Sequence, residues 1–246
     1  MLKALRGKRE IDMLNGPILQ RVILFAIPLV LANILQLLYN AADIIVVGQF
    51  NGIEAVAAVG STTSLSNLFT NLAVSLSSGT SMCLSVQLGA KNHRESFEYA
   101  HTSIVTALLI GITIGCVGFF GAGSFLSLLK TDPAVIGEST RYLKIIFLGF
   151  PAAALDNYTA SIIRTAGDTR SPLIYLALSG LCNVLLNLVF VAVFHMGVAG
   201  VATATVSSQV ISATLCVRHL HRLPKEHPCH LYFSKLRFYS NKFFRI

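Results

Sequence analysis

The sequence predicts an all-α membrane protein, a bundle of six transmembrane helices. Three observations lead there. The 246 residues are 54% hydrophobic and 12% charged, about half the charged share of an ordinary soluble domain. With a mean hydropathy of +0.67, the chain has too little polar side chain to cover a water-facing surface, so lipid must be the solvent for much of it. The apolar residues gather in runs of about 20 or more, the length a helix needs to cross a bilayer. Lys and Arg avoid these runs and collect in alternate gaps between them, as membrane topology requires.

The elements follow in order. Residues 1–16 form a basic N-terminal segment in which Leu2, Leu5, Ile11 and Leu14 alternate with Lys3, Arg6, Lys8 and Arg9, a pattern suited to the membrane face. The six-helix lobe is expected over residues 17–219. Its first span, 18–47, holds Pro28 well inside, and a proline there deletes a backbone donor and crowds the preceding turn, which predicts a bend or break. A polar turn follows at residues 49–54. The second span, 55–88, is rich in Ser, Thr and Asn, among them Asn67; small hydroxyl residues let helices pack closely or line a wet cavity. The third span, 99–125, carries Gly111, Gly115, Gly118, Gly121 and Gly123, and the fourth, 135–163, contains Pro151. The fifth runs over 172–194 and the sixth over 198–217. Residues 220–246 form a basic tail.

Of the 19 Lys and Arg residues, only Lys130, Arg141 and Lys144 fall on one face; the rest sit in the N-terminal segment, the second and fourth gaps and the tail. That asymmetry predicts that both termini are cytoplasmic and that the number of spans is even.

Composition and motifs exclude several classes. The net charge of +8 follows topology instead of forming a groove of basic and aromatic residues, so no nucleic acid partner is expected. The five cysteines are odd in number and widely scattered, which is no disulfide framework. The tail groups His219, His221, His227, Cys229 and His230, but their spacing matches no standard zinc pattern, so no metal site is expected. There is no phosphate-binding loop, no nucleophile elbow and no metalloprotease motif, so no catalytic residues and no enzyme are expected. Without a nucleotide site, any transport would draw on an ion gradient.

Two carboxylates fall inside spans, Asp43 and Asp156. An acid in a span costs a few kcal/mol and usually faces a cavity or a partner. Asp43 reads as a proton or cation site, since an acid removed from water holds its proton more readily; it reads equally as an interfacial acid reaching for water near the gap at residue 49. Asp156 reads as a second ionisable site, or as an acid near enough to the Arg164 end to find water. Asn183 and Asn187 are one turn apart on the fifth span and share a face, with Thr203 and Thr205 on the sixth. Their oxygens suit a hard cation or a proton network; plain interhelical hydrogen bonding, about 0.6 kcal/mol on average, explains them as well.

Several stretches taken together resemble one family. They are Pro28 with Leu38-Tyr39-Asn40-Ala41-Ala42-Asp43, then Val47-Gly48 and Ala55-Val56-Ala57-Ala58-Val59-Gly60; Gly79-Thr80 with Gln87-Leu88-Gly89-Ala90-Lys91; Arg164 through Pro172, reading Arg-Thr-Ala-Gly-Asp-Thr-Arg-Ser-Pro; and Asn183 with Asn187, then Gly197-Val198-Ala199-Gly200-Val201-Ala202. In this order they resemble the N-terminal half of a bacterial multidrug and toxin extrusion (MATE) transporter, collinear over residues 16–217.

The resemblance implies one six-helix lobe of a twelve-helix transporter with a central cavity, a secondary active antiporter that exchanges protons or sodium ions for small cationic or amphipathic drug-like compounds. It implies that Asp43 is the coupling carboxylate, that Pro28 lets the first helix bend, and that Asn183, Asn187 and Thr205 are polar ligands of the same site. Some family members carry an acid where Asn187 stands, and the amide here favours protons over sodium. Gln36, Tyr39, Asn40, Asn67 and Asp156 are candidates for the cavity lining. No cofactor is implied beyond H+ or Na+. The expected location is the cell membrane, multi-pass, with the bilayer and a second transporter half or a homodimer mate as partners. The segment Leu231–Ile246 is similar to the linker that precedes a seventh helix, which leads to the expectation of a truncated or half-length member. Two other readings stand beside it. One is an inactive half-lobe serving as an interaction or structural unit. The other is a related flippase for lipid-linked sugars, disfavoured because the spans hold no interior Lys or Arg apart from Arg141 and Lys144 near an end.

Overall fold

The computed structural model describes residues 18–232; the basic segment 1–16 and the tail beyond Tyr232 lie outside the described residues. The described chain is helical throughout: α1 (Ile18–Gly89), α2 (His93–Leu128), α3 (Ile136–Thr165), α4 (Arg170–Asn187), a π-helical stretch (Leu188–Val193) and α5 (Val198–His221). Five helical stretches, the fourth made of α4 with its π-helical extension, are long and apolar enough to cross a membrane.

The first of them has 72 residues. At roughly 1.5 Å per residue that is about 108 Å of helix, against a hydrocarbon core of about 30 Å. It cannot lie straight across a bilayer, and it does not: Gly52, at φ 80° and ψ −173°, departs from helical geometry and divides α1 into arms of residues 18–51 and 53–89. Only glycine adopts that backbone without strain. The arms come back together, since Val46 and Val47 before the break are buried in one cluster with Ala55, Ala58 and Val59 after it, against Val198, Val201 and Ala202 of α5.

Here the sequence expectation needs correcting. The expectation was a bend or break at Pro28 and a turn over 49–54; the backbone stays helical through Pro28, and the non-helical position in α1, Gly52, lies within the expected turn. A proline removes one hydrogen bond that neighbouring groups can re-satisfy in a membrane helix, whereas a positive φ interrupts the helical path itself. The expected turn over 49–54 is correspondingly narrow, with helix resuming on both sides of Gly52.

Sequence signals set the remaining helix ends. The Asn92 side chain accepts from the Glu95 amide at 3.3 Å, capping α2. Asp168 Oδ1 accepts from the amides of Arg170 and Ser171 at 3.1 and 2.9 Å, and so satisfies donors at the start of α4. Gly197, at φ 60°, turns the chain into α5.

Helix directions can be read from contacts. Ser61 Oγ is 2.9 Å from Ser139 Oγ, and Ser81 Oγ is 2.5 Å from Ser161 Oγ. Residue numbers rise together, so the second arm of α1 runs parallel to α3, held by hydroxyl pairs about 30 Å apart at the helical rise. Between α2 and α3 the order reverses. A Cβ on Gly111 would stand 2.7 Å from Pro151 Cα, and one on Gly118 would stand 2.1 Å from the Phe147 ring. The glycines at every third or fourth position thus let α2 seat against α3 at backbone distance, antiparallel. The outside is apolar: Leu37, Leu72, Ile112, Leu148, Leu181 and many like them are exposed, as a lipid-facing surface requires.

Candidate functional site

Asp43 is buried in the first arm of α1, at 8% exposure. It reaches α4 and α5 at once. Asn187 Nδ2 donates to Asp43 Oδ1 at 2.5 Å, and Thr205 Oγ1 donates to Asp43 Oδ2 at 3.2 Å. Asn187 Nδ2 also lies 3.4 Å from Asn183 Oδ1, and Asn183 Nδ2 lies 3.5 Å from Thr205 Oγ1. The structure therefore joins four candidates from three helices into one network around a single carboxylate. Asn183 and Asn187 are themselves buried, at 3% and 0% exposure.

The network is not fully satisfied. Asn187 Oδ1 is buried and has no hydrogen-bond partner, a costly condition for an acceptor. Thr205 has one hydroxyl proton but two acceptors in reach, Asp43 Oδ2 and the Val201 carbonyl at 2.9 Å. The cluster thus has one acceptor to spare, and a hydroxyl that can serve either of two acceptors.

Local structure builds this site. Tyr39, one turn before Asp43, packs its ring on Gly180, where a Cβ would fall 2.0 Å from the ring, and its hydroxyl donates to the Ala177 carbonyl at 3.3 Å. Gly180, Asn183 and Asn187 share one face of α4, so the close approach at Gly180 is what brings Asn187 to Asp43. Asn187 is also the last residue before the π-helical stretch (Leu188–Val193). Such wide turns occur often at functional sites, and they have no composition signature by which sequence reasoning could find them. Sequence reasoning also missed Tyr142, a buried residue of α3 that packs in one cluster with Val46 and Val47, one turn beyond Asp43.

The other candidates lie elsewhere. Pro28 is buried in the first arm. Gln36, Asn40 and Asn67 are exposed on α1 and touch none of the four network residues by hydrogen bond among the described contacts. Tyr39 sits in the α1–α4 seam. Asp156 Oδ1 accepts from Ser212 Oγ of α5 at 2.8 Å and stands apart from the Asp43 network. A recess of about 910 Å³ between α2 and α3, lined by Ser124, Ser127, Ile136 and Thr140, contains none of these residues. Tail histidines bond the backbone: His221 Nδ1 is 2.9 Å from the Leu231 carbonyl and His230 Nδ1 is 2.7 Å from that of Leu223.

The family model described as MatE matches residues 28–189, a stretch that includes Asp43, Asn183 and Asn187. The chain belongs to the MATE family. Among curated relatives, the probable multidrug resistance protein YpnP of Bacillus subtilis (strain 168) is 32% identical over 203 residues, which is 82% of this chain and 45% of the relative. The probable multidrug resistance protein YoeA of the same organism is 31% identical over 209 residues, 83% of this chain and 45% of the relative. The chain spans about half the length of the curated MATE relatives it matches. Crystal structures of MATE in the bent and in the straight conformation superpose with TM-scores of 0.82 and 0.80, each at 23% identity over 90% of this chain and 49% of theirs. The fold is that of one part of a MATE transporter, and the chain is a multi-pass membrane protein.

Proposed function

We propose that the chain is one six-span lobe of a proton-coupled multidrug antiporter, and that Asp43 is its coupling carboxylate. The observation that carries this reading is the Asp43 network, a buried acid that accepts from Asn187 and Thr205 beside an acceptor with no partner. A structural role would not need a charge there, since the serine pairs between α1 and α3 hold helices together without one. Protonation of Asp43 would turn one oxygen into a donor, which the network can use once the Asn187 amide rotates. The break at Gly52 divides α1 into two arms, which supports a reading of six spans; with an even number of spans, the asymmetry of Lys and Arg supports both termini on the cytoplasmic side of the cell membrane. Pro28 lies on the arm that carries Asp43, where a missing backbone bond lowers the cost of bending that arm as the carboxyl changes state. A MATE protein of similar fold has been crystallised both bent and straight.

The relatives are named as multidrug resistance proteins, which supports small cationic or amphipathic substrates. The chain spans about half of those relatives, and the working transporter on this reading contains a second lobe-sized unit beside this one. A specific observation favours sodium as the alternative coupling ion. The oxygens of Asp43, Asn183, Asn187 and Thr205 are hard ligands from three helices, and Asn187 Oδ1 is the one left without a partner.

The test is drug-stimulated proton release from liposomes containing the full chain, with Asp43→Asn as control and sodium varied. Coupled release lost in the variant is the expected result. Release that survives Asp43→Asn would overturn the role of Asp43. Transport by neither protein, with both folded, would leave the chain as a lobe that works only with a partner or as a structural unit.

A further inference from the structure

We propose that Asp156 is a second proton-carrying carboxyl of the lobe, a station between Asp43 and the basic end on a polar row along α5. This rests on the proposed proton coupling at Asp43 and extends it to a route.

The row is geometric. Thr205, Ser208, Ser212, Cys216 and His219 follow one another at steps of three or four along α5, so they share one face. Ser208, Ser212 and Cys216 are buried, and that face looks into the bundle. An acid from another element meets the row at every seventh residue. Thr205 donates to Asp43 of α1 at 3.2 Å, and Ser212 donates to Asp156 of α3 at 2.8 Å. His219 Nε2 lies 3.8 Å from Asp168 Oδ2 in the loop before α4, with Tyr175 Oη 2.9 Å from its other ring nitrogen. Seven residues of helix rise about 10 Å, so the stations stand two turns apart, a spacing that needs a chain of waters together with the hydroxyls of the row to carry a proton. At the far end, Arg164 lies in the last turn of α3, Arg170 opens α4, and Arg218 and Arg222 lie at the end of α5.

Packing alone does not account for an acid at the middle station. Where the α1–α3 seam needs glue, it uses serine pairs, whereas a carboxylate in a span costs a few kcal/mol on insertion scales. The charged and titratable groups that bear on Asp156 are Cys216 from α5 and Arg164 from its own helix. Cys83 of α1, Tyr99 of α2 and Tyr175 of α4 pack into the apolar cluster that holds Cys216. In each step one proton leaves one group and binds the next. The Asp43 carboxyl gives its proton to the Asp156 carboxylate, which passes it to the His219 imidazole and then to water, each donor left as its conjugate base.

The experiment is infrared difference spectroscopy of the full chain in lipid between alkaline and acidic buffer, read in the carboxyl C=O stretch, for the wild type and for Asp43→Asn, Asp156→Asn and Ser212→Ala. The expected result is two intramembrane carboxyl bands, one lost in Asp43→Asn and the other in Asp156→Asn. Ser212→Ala keeps the acid but removes its donor, so it should shift the Asp156 band and leave that of Asp43 in place. It also serves if Asp156→Asn fails to fold. A spectrum unchanged by both Asp156→Asn and Ser212→Ala overturns the second station. A spectrum unchanged by Asp43→Asn overturns the coupling role of Asp43 instead, so the two failures are told apart.

Discussion

Asn187 Nδ2 and Asp43 Oδ1 are 2.5 Å apart, and this contact ties the last α-helical residue of α4 to the carboxylate buried in α1. On the proposed coupling role of Asp43, the identity of residue 187 then decides between a proton and sodium. Replacing the amide by an acid, Asn187→Asp, would set two carboxylates side by side. Two such groups cannot both ionise unless a cation or a shared proton lies between them. The variant should bind sodium, and its Tm in detergent should rise with added sodium and not with choline. The wild type should show no such rise. An equal sodium-specific rise in the wild type would favour the sodium reading over the proton one.

Gly180 and Tyr39 set that contact from a distance. A Cβ on Gly180 would fall 2.0 Å from the Tyr39 ring, so Gly180→Ala must push α1 and α4 apart or displace the ring. Overpacking of this kind costs about 1–3 kcal/mol. The expected outcome is a lower unfolding midpoint together with loss of the Asp43–Asn187 contact, seen as a shift of the Asp43 carboxyl band. Tyr39→Ala added to Gly180→Ala should recover part of the stability. A double variant as unstable as the sum of the two single ones would mean that the ring and the glycine are not coupled.

The sequence made some of this legible and hid the rest, for definite reasons. The apolar runs located the helical stretches because a bilayer fixes both their length and their composition. Asp43 stood out because an acid in a span is expensive. Asn183 and Asn187 could be placed on one face by spacing alone, but spacing within a helix does not say which neighbour that face meets. That is why the Asp156–Ser212 bond and the Tyr39–Gly180 seat were not foreseen. The polar, glycine-bearing stretch 49–54 marks the turn between the first two spans, and Gly52 makes it there; the proline at 28 announces a break chemically, but the helix runs through it because a lost backbone bond does not by itself redirect the chain.

Gly52 itself can be tested. Its φ of 80° with ψ −173° is a conformation that side chains resist, although nothing lies within 4 Å of a Cβ placed there. Gly52→Ala should therefore cost about 1–3 kcal/mol from backbone strain alone. A neighbouring exposed position, Asn51→Ala, should cost far less. Thermal unfolding of the two variants in the same lipid or detergent checks the difference. Equal midpoints would show that α1 tolerates another backbone at its break.

Past the end of α5 the chain folds back, and His227 makes that fold sensitive to acid. The Cys229 amide donates to His227 Nδ1 at 3.1 Å, so the ring must be neutral there. Burial, followed by the charges of His219, His230 and His93, holds the His227 pKa below its ordinary 6.5. The unfolded ring then takes up a proton before the folded one does. The contribution of His227 is present above about pH 6.5 and is lost as the pH falls from there through the lowered value. Hydrogen-exchange protection of the Cys229 and Leu231 amides, corrected for intrinsic rate, should fall over that window. His227→Asn offers an oxygen acceptor that does not titrate, so it should shrink the pH dependence while keeping the protection. The same fall in His227→Asn as in the wild type would assign the sensitivity to the neighbouring histidines.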